Sequence, residues 1–390
     1  MNTDMIKDLL VGITSITWQN AVMVAVGILL LWLAIGKDFE PLLLLPIGSG
    51  CIWANLPNST FLGEWTAKAG GGWELLPENA TGMLQTLYDV GVANELFPLL
   101  IFIGIGAMTD FGPLLENPKM VLLGGAGQFG IFLTLLVALL LGFSRQEAAS
   151  IGIIGAIDGP TSIYVSAKLA PQMLGPITVA AYSYMSLVPI IMPPVMRALT
   201  TEKHRAIKMA YSSREISQRT RMIFPVAVTI LVGILVPFAL PLVGSLMIGN
   251  LMRESKAVGR LTGAAENELN NIVTLFLGLA IGSTMVGTNF IKLDTLFILI
   301  LGLFAFVMDT AVGVLFGHIF RIFMGGKFNP IIGAAGISAF PMAARVVQKE
   351  ASRADYSNFL LMHAMGANAA GQIASAMAGG VLLALVPAVS

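Results

Sequence analysis

Long apolar runs, each closed by a polar or glycine–proline cluster, set the pattern of this chain. They fall at Asn20–Ile35, Pro41–Leu56, Leu96–Gly112, Met120–Leu141, Ala149–Leu169, Pro176–Leu199, Met222–Ala239, Pro241–Met252, Asn271–Gly287, Leu293–Phe320, Pro330–Val347 and Asn358–Leu385. The runs are too long for barrel strands and lack their period-two alternation. A helical span needs about 20 apolar residues, or about 17 at the short end. Pro41–Leu56, Leu96–Gly112 and Pro241–Met252 are short, and glycine or proline interrupts several others, so broken or re-entrant helices are predicted. The expected fold is an all-α polytopic membrane protein with about ten or eleven transmembrane helices plus these broken segments.

Composition supports the membrane assignment. Of the 390 residues, 56% are hydrophobic and 11% charged, against about 25% charged in soluble domains. Zero net charge implies no nucleic-acid surface, and the single Cys51 excludes an internal disulfide framework and a Cys-based zinc site. His204, His318 and His363 are scattered and read as loop, surface or packed residues.

Charge then orients the chain. The stretch Pro57–Glu95 carries Glu64, Glu74, Glu78, Asp89 and Glu95 against Lys68, whereas Arg197–Arg221 carries Arg197, Lys203, Arg205, Lys208, Arg214, Arg219 and Arg221. Basic loops stay on the cytoplasmic side, which places 197–221 inside and the acidic insert 57–95 outside. A duplication is also visible: "LIFIGIGAMTDF" from Leu100 resembles "LFLGLAIGSTMV" from Leu275, and "GIIGAIDGPTSIYVSAKLAP" from Gly152 resembles "PIIGAAGISAFPMAARVVQK" from Pro330. Weak internal symmetry with paired broken segments is the sign of a secondary-transporter-like architecture. Expected domains are residues 1–200 as one half, 201–221 as the basic linker and 222–390 as the other half, related as inverted repeats.

The stretch "GAIDGPT" (155–161) puts a carboxylate beside helix breakers inside an apolar run. Backbone that leaves the helix within a bilayer must line a cavity or lie within protein. Gly155, Gly159 and Pro160 permit that unwinding, and Asp158 adds a hard oxygen suited to an alkali cation. The second broken segment offers Asn329, Pro330, Gly333, Gly336, Ser338 and Pro341, and the two together are expected to form a midplane ion site. Intramembrane carboxylates are functional by default, the structural alternative for Asp158 being a helix cap. Asp110 in "TDFGP" reads equally as an interfacial N-cap. Tyr184 and Asn368 are polar groups within apolar helices and need partners, while "SAMAGG" (375–380) reads as small-residue packing. Arg345 either snorkels or grips a carboxylate bidentately.

The motifs "FEPLLLLPIG", "GIGAMTDFGPLLENP", "IGIIGAIDGPTSIYVSAKLAP", "AAYSYMSLVP", "GNLMRES", "NPIIGAAGISAFPMAARV" and "NFLLMHAMGANAAG" resemble the β subunit of sodium-pumping biotin-dependent decarboxylases. The resemblance runs from Leu29 to the C-terminus and is weakest across the acidic insert. It implies a carboxybiotin decarboxylase coupled to Na+ export with proton uptake, in the inner membrane of a prokaryote. Carboxybiotin would be supplied in trans by a biotin carrier subunit; the other implied partners are a carboxyltransferase α subunit, a small membrane-anchored subunit and further copies of this chain, as a trimer. Carried over by position, the resemblance makes Asp158, Tyr184, Ser338 and Arg345 catalytic, Arg345, Asn329 and Gly333 cofactor-binding, and Asp158, Asn329, Ser338 and Asn368 Na+ ligands. Ala367 stands where the family more often has the proline of "MGPN". The alternative function is a Na+-coupled secondary carboxylate transporter, built on the same repeats and buried aspartate.

Overall fold

The computed structural model describes residues 16–37, 39–57, 61, 65–67, 73–75, 82–210 and 216–387. In chain order the elements are α1 (Trp18–Lys37), α2 (Pro41–Asn55), β1 (Trp65–Ala67), β2 (Trp73–Leu75), α3 (Met83–Leu87), α4 (Leu96–Met108), α5 (Gly112–Glu116), α6 (Met120–Ala126), α7 (Phe129–Leu140), α8 (Arg145–Gly152), α9 (Gly159–Leu169), α10 (Leu174–Leu199), α11 (Glu202–Arg205), α12 (Gln218–Leu235), α13 (Leu240–Ser255), α14 (Gly259–Ala264), α15 (Asn270–Thr284), α16 (Gly287–Phe290), α17 (Leu293–Phe323), α18 (Met342–Ala354) and α19 (Leu361–Leu385).

Among the described residues six helices are long and apolar enough to cross a membrane: Trp18–Lys37, Met120–Leu140, Pro171–Leu199, Gln218–Leu235, Leu293–Phe323 and Leu361–Leu385. The remaining runs are broken or short. Met83–Ala93 and Leu96–Met108 make one apolar path bent by 63°. The run Ala149–Leu169 is divided: α8 starts on a capping box between Ser144 and Glu147, tightens into a 3-10 turn at Ile153–Ala156, and stops before α9. The run Pro330–Val347 is a 3-10 turn at Pro330–Gly336, an extended stretch, and α18. Strands β1 and β2 form an antiparallel hairpin, Trp65 opposite Leu75, within the acidic insert. Apart from this hairpin the described secondary structure is helical, as expected; Glu64, Lys68 and Glu78 of the insert lie outside the described residues.

Helix α12 carries exposed Ile223, Ile230, Ile234 and Leu235, and α1 carries exposed Ile28, Leu29, Trp32 and Ile35; these are lipid-facing surfaces for a chain of this composition. Helices α10, α17 and α19 bury more of their length and surround the two broken elements. α2 packs on α15 and α4 on α13, so partners come from opposite halves of the chain. The α4–α13 crossing is backbone to backbone: a Cβ on Gly249 would stand 2.0 Å from the Ile103 carbonyl oxygen, and one on Gly106 1.9 Å from that of Leu246. Small residues at such crossings let helices associate in lipid, where no hydrophobic force drives them together.

Gly249→Ala is expected to cost about 1–3 kcal/mol by overpacking, lowering the unfolding temperature of the detergent-purified chain. Gly263→Ala in α14, where a Cβ meets nothing within 4 Å, should be neutral or stabilising in the same thermal scan.

Candidate ion site at two broken helices

The site is built where the broken elements touch. After the 3-10 turn, Ile157 takes a left-handed conformation, φ 51° and ψ 43°. For a β-branched residue that is strained backbone. It turns Asp158 into an extended conformation, φ −129°, from which its carboxylate caps α9. Oδ1 accepts the Thr161 amide at 3.3 Å, and Oδ2 accepts the hydroxyls of Thr161 at 2.7 Å and Ser375 at 2.9 Å. Asp158 is 4% exposed. One side chain thus both caps α9 and presents a carboxylate to a cavity.

The second break lies against the first. Ser338 gives both its donors to the Ala156 carbonyl, the hydroxyl at 2.8 Å and the amide at 3.3 Å. Helix α19 fastens the joint with residues spaced 4 and 3 apart, which share a helical face. Asn368 Nδ2 donates to the Ile337 carbonyl at 2.6 Å, Gln372 Nε2 to the Ser338 carbonyl, and Ser375 to Asp158. Gln128, between α6 and α7, donates to the Gly336 carbonyl at 3.2 Å. Each amide spends its nitrogen on a freed carbonyl, and the oxygens of Asn368, Gln372 and Gln128 are buried without a donor.

A cavity of about 440 Å³ opens beside this joint, with Asp158, Ser338, Gln372, Tyr182, Arg345 and Glu40 on its wall. Arg345, in the first turns of α18, is exposed and has no hydrogen-bond or ion-pair partner among the described residues. The donor set is carboxylate, hydroxyl and amide oxygen. Among the described residues no three His, Cys, Asp or Glu side chains cluster as a metal site. Such oxygens suit an alkali cation and not a transition metal.

The structure brings together Asp158, Ser338, Arg345 and, through Ile337, Asn368. It sets three expected site residues apart. Asn329 caps the 330–336 turn and donates to the carbonyls of Arg205 at 2.8 Å and Ile207 at 2.9 Å. Gly333 lies against α17, where a Cβ would come 1.8 Å from the Gly313 carbonyl oxygen. The Tyr184 hydroxyl donates to the Leu299 carbonyl on α17. Tyr182, two residues earlier, is the tyrosine on the cavity wall, its ring laid on Gly159. Gln372, Ser375 and Glu40 are not singled out by sequence reasoning. The four-residue step from Asn368 to Gln372 was the available signal, a second amide on the same face of an apolar helix. Lys168 pairs with Glu95 at 2.8 Å. Asp110 accepts the Gly112 amide at 2.8 Å and meets Arg221 at 3.1 Å, in a turn one residue ahead of Phe111, the N-cap of α5.

The fold and site define a polytopic helical membrane protein whose two unwound helices meet at an oxygen-lined cavity. Residues 19–386 match the family described as Na+-transporting oxaloacetate decarboxylase beta subunit, and the chain belongs to that family. Methylmalonyl-CoA decarboxylase subunit beta of Veillonella parvula is 50% identical over 96% of this chain and 95% of its own length. Glutaconyl-CoA decarboxylase subunit beta of Acidaminococcus fermentans is 51% identical over the same shares. The oxaloacetate decarboxylase beta chain of Klebsiella pneumoniae is 47% identical, over 96% and 97%. This chain is thus a membrane subunit of a Na+-translocating decarboxylase.

The basic linker is clamped to the base of the second broken element. Asn358 Nδ2 reaches the same two carbonyls as Asn329, at 3.1 Å each, and Lys208 meets Asp355 at 3.0 Å and Ser357 at 2.7 Å. The Ser357 hydroxyl first, and Lys208 second, hold the Asp355 carboxyl down at about 2. A folded-state value below the ordinary one, about 4, means this contact is intact above about pH 4 and is lost only as pH falls towards 2. Acidification to about pH 5 should therefore leave the linker docked, whereas Asn329→Ala with Asn358→Ala should expose it. Tryptic cleavage after Arg205 and Lys208 at neutral pH should accelerate in the double variant, and amide exchange of 205–209, corrected for intrinsic rate, should be as protected at pH 5 as at pH 7 in the unmodified chain.

Proposed function

We propose that this subunit decarboxylates carboxybiotin delivered by a separate carrier and couples the reaction to outward movement of Na+ and uptake of a proton. The observation that carries the reading is the joint itself: Asp158 and Ser338, from two broken helices, line one cavity that also presents an unpaired arginine. Carboxybiotin supplies a labile bond between its carboxylate carbon and a ureido nitrogen, which gives CO2 once that nitrogen receives a proton.

The chain's own residues fit that task. Arg345 presents a planar fork with no competing anion, suited to orienting a carboxylate at the mouth of the cavity. Asp158 binds Na+ or a proton, and the two compete: burial disfavours the bare charge and a cation restores it. Ser338 and Asn368 complete the oxygen set, with Gln372 added to them. The hydroxyl relay is Tyr184 or Ser338, each of which at rest donates to a backbone carbonyl, Leu299 for the tyrosine and Ala156 for the serine. Asn329 and Gly333 fix the second break in place.

The two halves, 1–200 and 222–390, are read as inverted repeats separated by the linker 201–221. Corresponding elements recur in order: a short helix (α2, α13), a π-helical turn (Tyr88–Ala93, Ala265–Leu269) before an apolar helix (α4, α15), a broken element, and a long buried helix (α10, α19). Counting α2, α4, α13 and α15 as crossing elements raises the six long helices to ten. The linker faces the cytoplasm of a prokaryotic cell, where a carboxyltransferase α subunit and the biotin carrier approach. A small anchored subunit and further copies of this chain, as a trimer, complete the assembly. Relatives of 47–51% identity carry the names of three different decarboxylases, so the acid is chosen by the partner and not by this chain.

Asp158→Asn in the assembled, reconstituted complex should lower Na+-stimulated decarboxylation by about 100-fold or more, with assembly unchanged by size exclusion. Full Na+-stimulated turnover in that variant would remove Asp158 from the mechanism. Radiolabelled Na+ flux that follows supply of the carboxylated carrier separates this reading from a carboxylate transporter, which needs no carrier.

A further inference from the structure

Glu40 stands on the wall of the Asp158 cavity, at the start of α2. Its backbone is left-handed, φ 39° and ψ 64°, a conformation that costs a non-glycine residue of order 1–3 kcal/mol and collects at functional sites. Helix capping does not explain it, since the side chain accepts no hydrogen bond from the α2 terminus. Half-buried, it makes no hydrogen bond or ion pair with any other described residue. Arg345 shares the cavity and is also unpaired, so two opposite charges line one space without neutralising each other. Each is left for a ligand of the opposite sign.

What lies inward of Glu40 favours a cation. Glu40, Asp158 and Tyr182 line the same cavity, which brings the two carboxylates to one space. Asn270 and Gln372 line the same cavity, and their amide oxygens are buried without donors. Gln372 is 3% exposed. Its nitrogen is held by the Ser338 carbonyl, which only accepts, so the amide cannot be turned round and its oxygen is the group left over. A buried acceptor without a donor is costly, and a partly dehydrated cation satisfies it.

We propose that Glu40 is the outer cation-binding group of this cavity: it captures a hydrated alkali cation at the mouth, and the Asn270 and Gln372 oxygens replace water as the ion moves to Asp158. This rests on reading the Asp158 cavity as the Na+ path. Arg345 handles the anionic reactant on the same wall, which keeps cation and anion apart in a space where they would otherwise pair.

The test uses the reconstituted complex with Glu40→Asn and Glu40→Asp. Both replacements tolerate the left-handed backbone better than glutamate does, so neither adds strain, and only the second keeps the charge. Glu40→Asn should raise the Na+ concentration for half-maximal decarboxylation roughly tenfold, as removal of one charge from a partly screened site does. The KM for the carboxylated carrier should stay near its original value, and Glu40→Asp should recover most of the Na+ affinity. Equilibrium binding of radiolabelled Na+ to the purified complex should shift in the same order. An unchanged Na+ half-saturation in Glu40→Asn, or an equal shift in both variants, overturns the proposal. A parent complex whose turnover ignores Na+ altogether would instead sink the reading on which it rests.

Discussion

Two unwound backbones lean on each other through one carbonyl. Within a bilayer a carbonyl freed from its helix has no water to turn to, and each unsatisfied group costs several kcal/mol. Ala156 is freed by the left-handed turn at Ile157, and Ser338 answers it with both of its donors. Ile337 and Ser338, freed in turn, are answered by Asn368 and Gln372 of α19. Interrupting one helix is affordable only because the other is interrupted beside it and a third supplies amides at the right pitch.

That accounting explains the chemistry of the site. An amide that gives its nitrogen to a backbone carbonyl leaves its oxygen over, and it does so in a buried place. The result is a joint that leaves acceptors over: beside the Asp158 carboxylate, the oxygens of Asn368 and Gln372 are buried without a donor. The side chains that satisfy the broken backbone are therefore the ones that leave buried acceptor oxygens beside it. Ser375 and Thr161 keep the carboxylate from pointing freely, each with a hydroxyl on Oδ2.

Much of this was legible in the sequence. Glycine and proline beside Asp158, and again around Ser338, announce helix breaks in apolar runs, and the structure breaks both there. The helix-level pattern was also readable, because long apolar runs have few alternatives. Other features depend on tertiary placement that a linear pattern does not carry. Asn329 and Ser338 lie in one motif, yet the fully buried Asn329 amide goes to the linker carbonyls of Arg205 and Ile207 and not to the joint. Tyr182 and Tyr184 lie two apart in one helix, about 200° around the axis. Periodicity alone cannot say which of two opposed faces meets the cavity. Ser375 was hidden among small residues whose bland reading is packing, and Glu40 was hidden in a turn whose backbone strain is invisible in sequence.

The joint also bears on how the site changes access. A ligand shifts a conformational equilibrium only by its differential affinity for the two states. Parting the breaks gives up the two Ser338 bonds to Ala156, each worth about 0.5–1.5 kcal/mol net, an amount within reach of one cation binding or leaving. The flanking contacts are of another kind. Gly313 and Gly317 of α17 lie against the backbone of Gly333 and Pro330, so close that a Cβ on either would stand about 2 Å from a carbonyl oxygen, and contacts that tight have no intermediate arrangement. The compliant part is therefore the short stretch from Ala156 to Asp158 together with Ile337 to Pro341, and the stiff part is the scaffold of α17 and the 330–336 turn. These contacts lie within 222–390, so a rocking of one entire half against the other would spare them but would have to disrupt the α4–α13 crossing, where a Cβ on Gly249 would stand 2.0 Å from the Ile103 carbonyl oxygen; a local exchange at the joint disrupts only the cheap bonds.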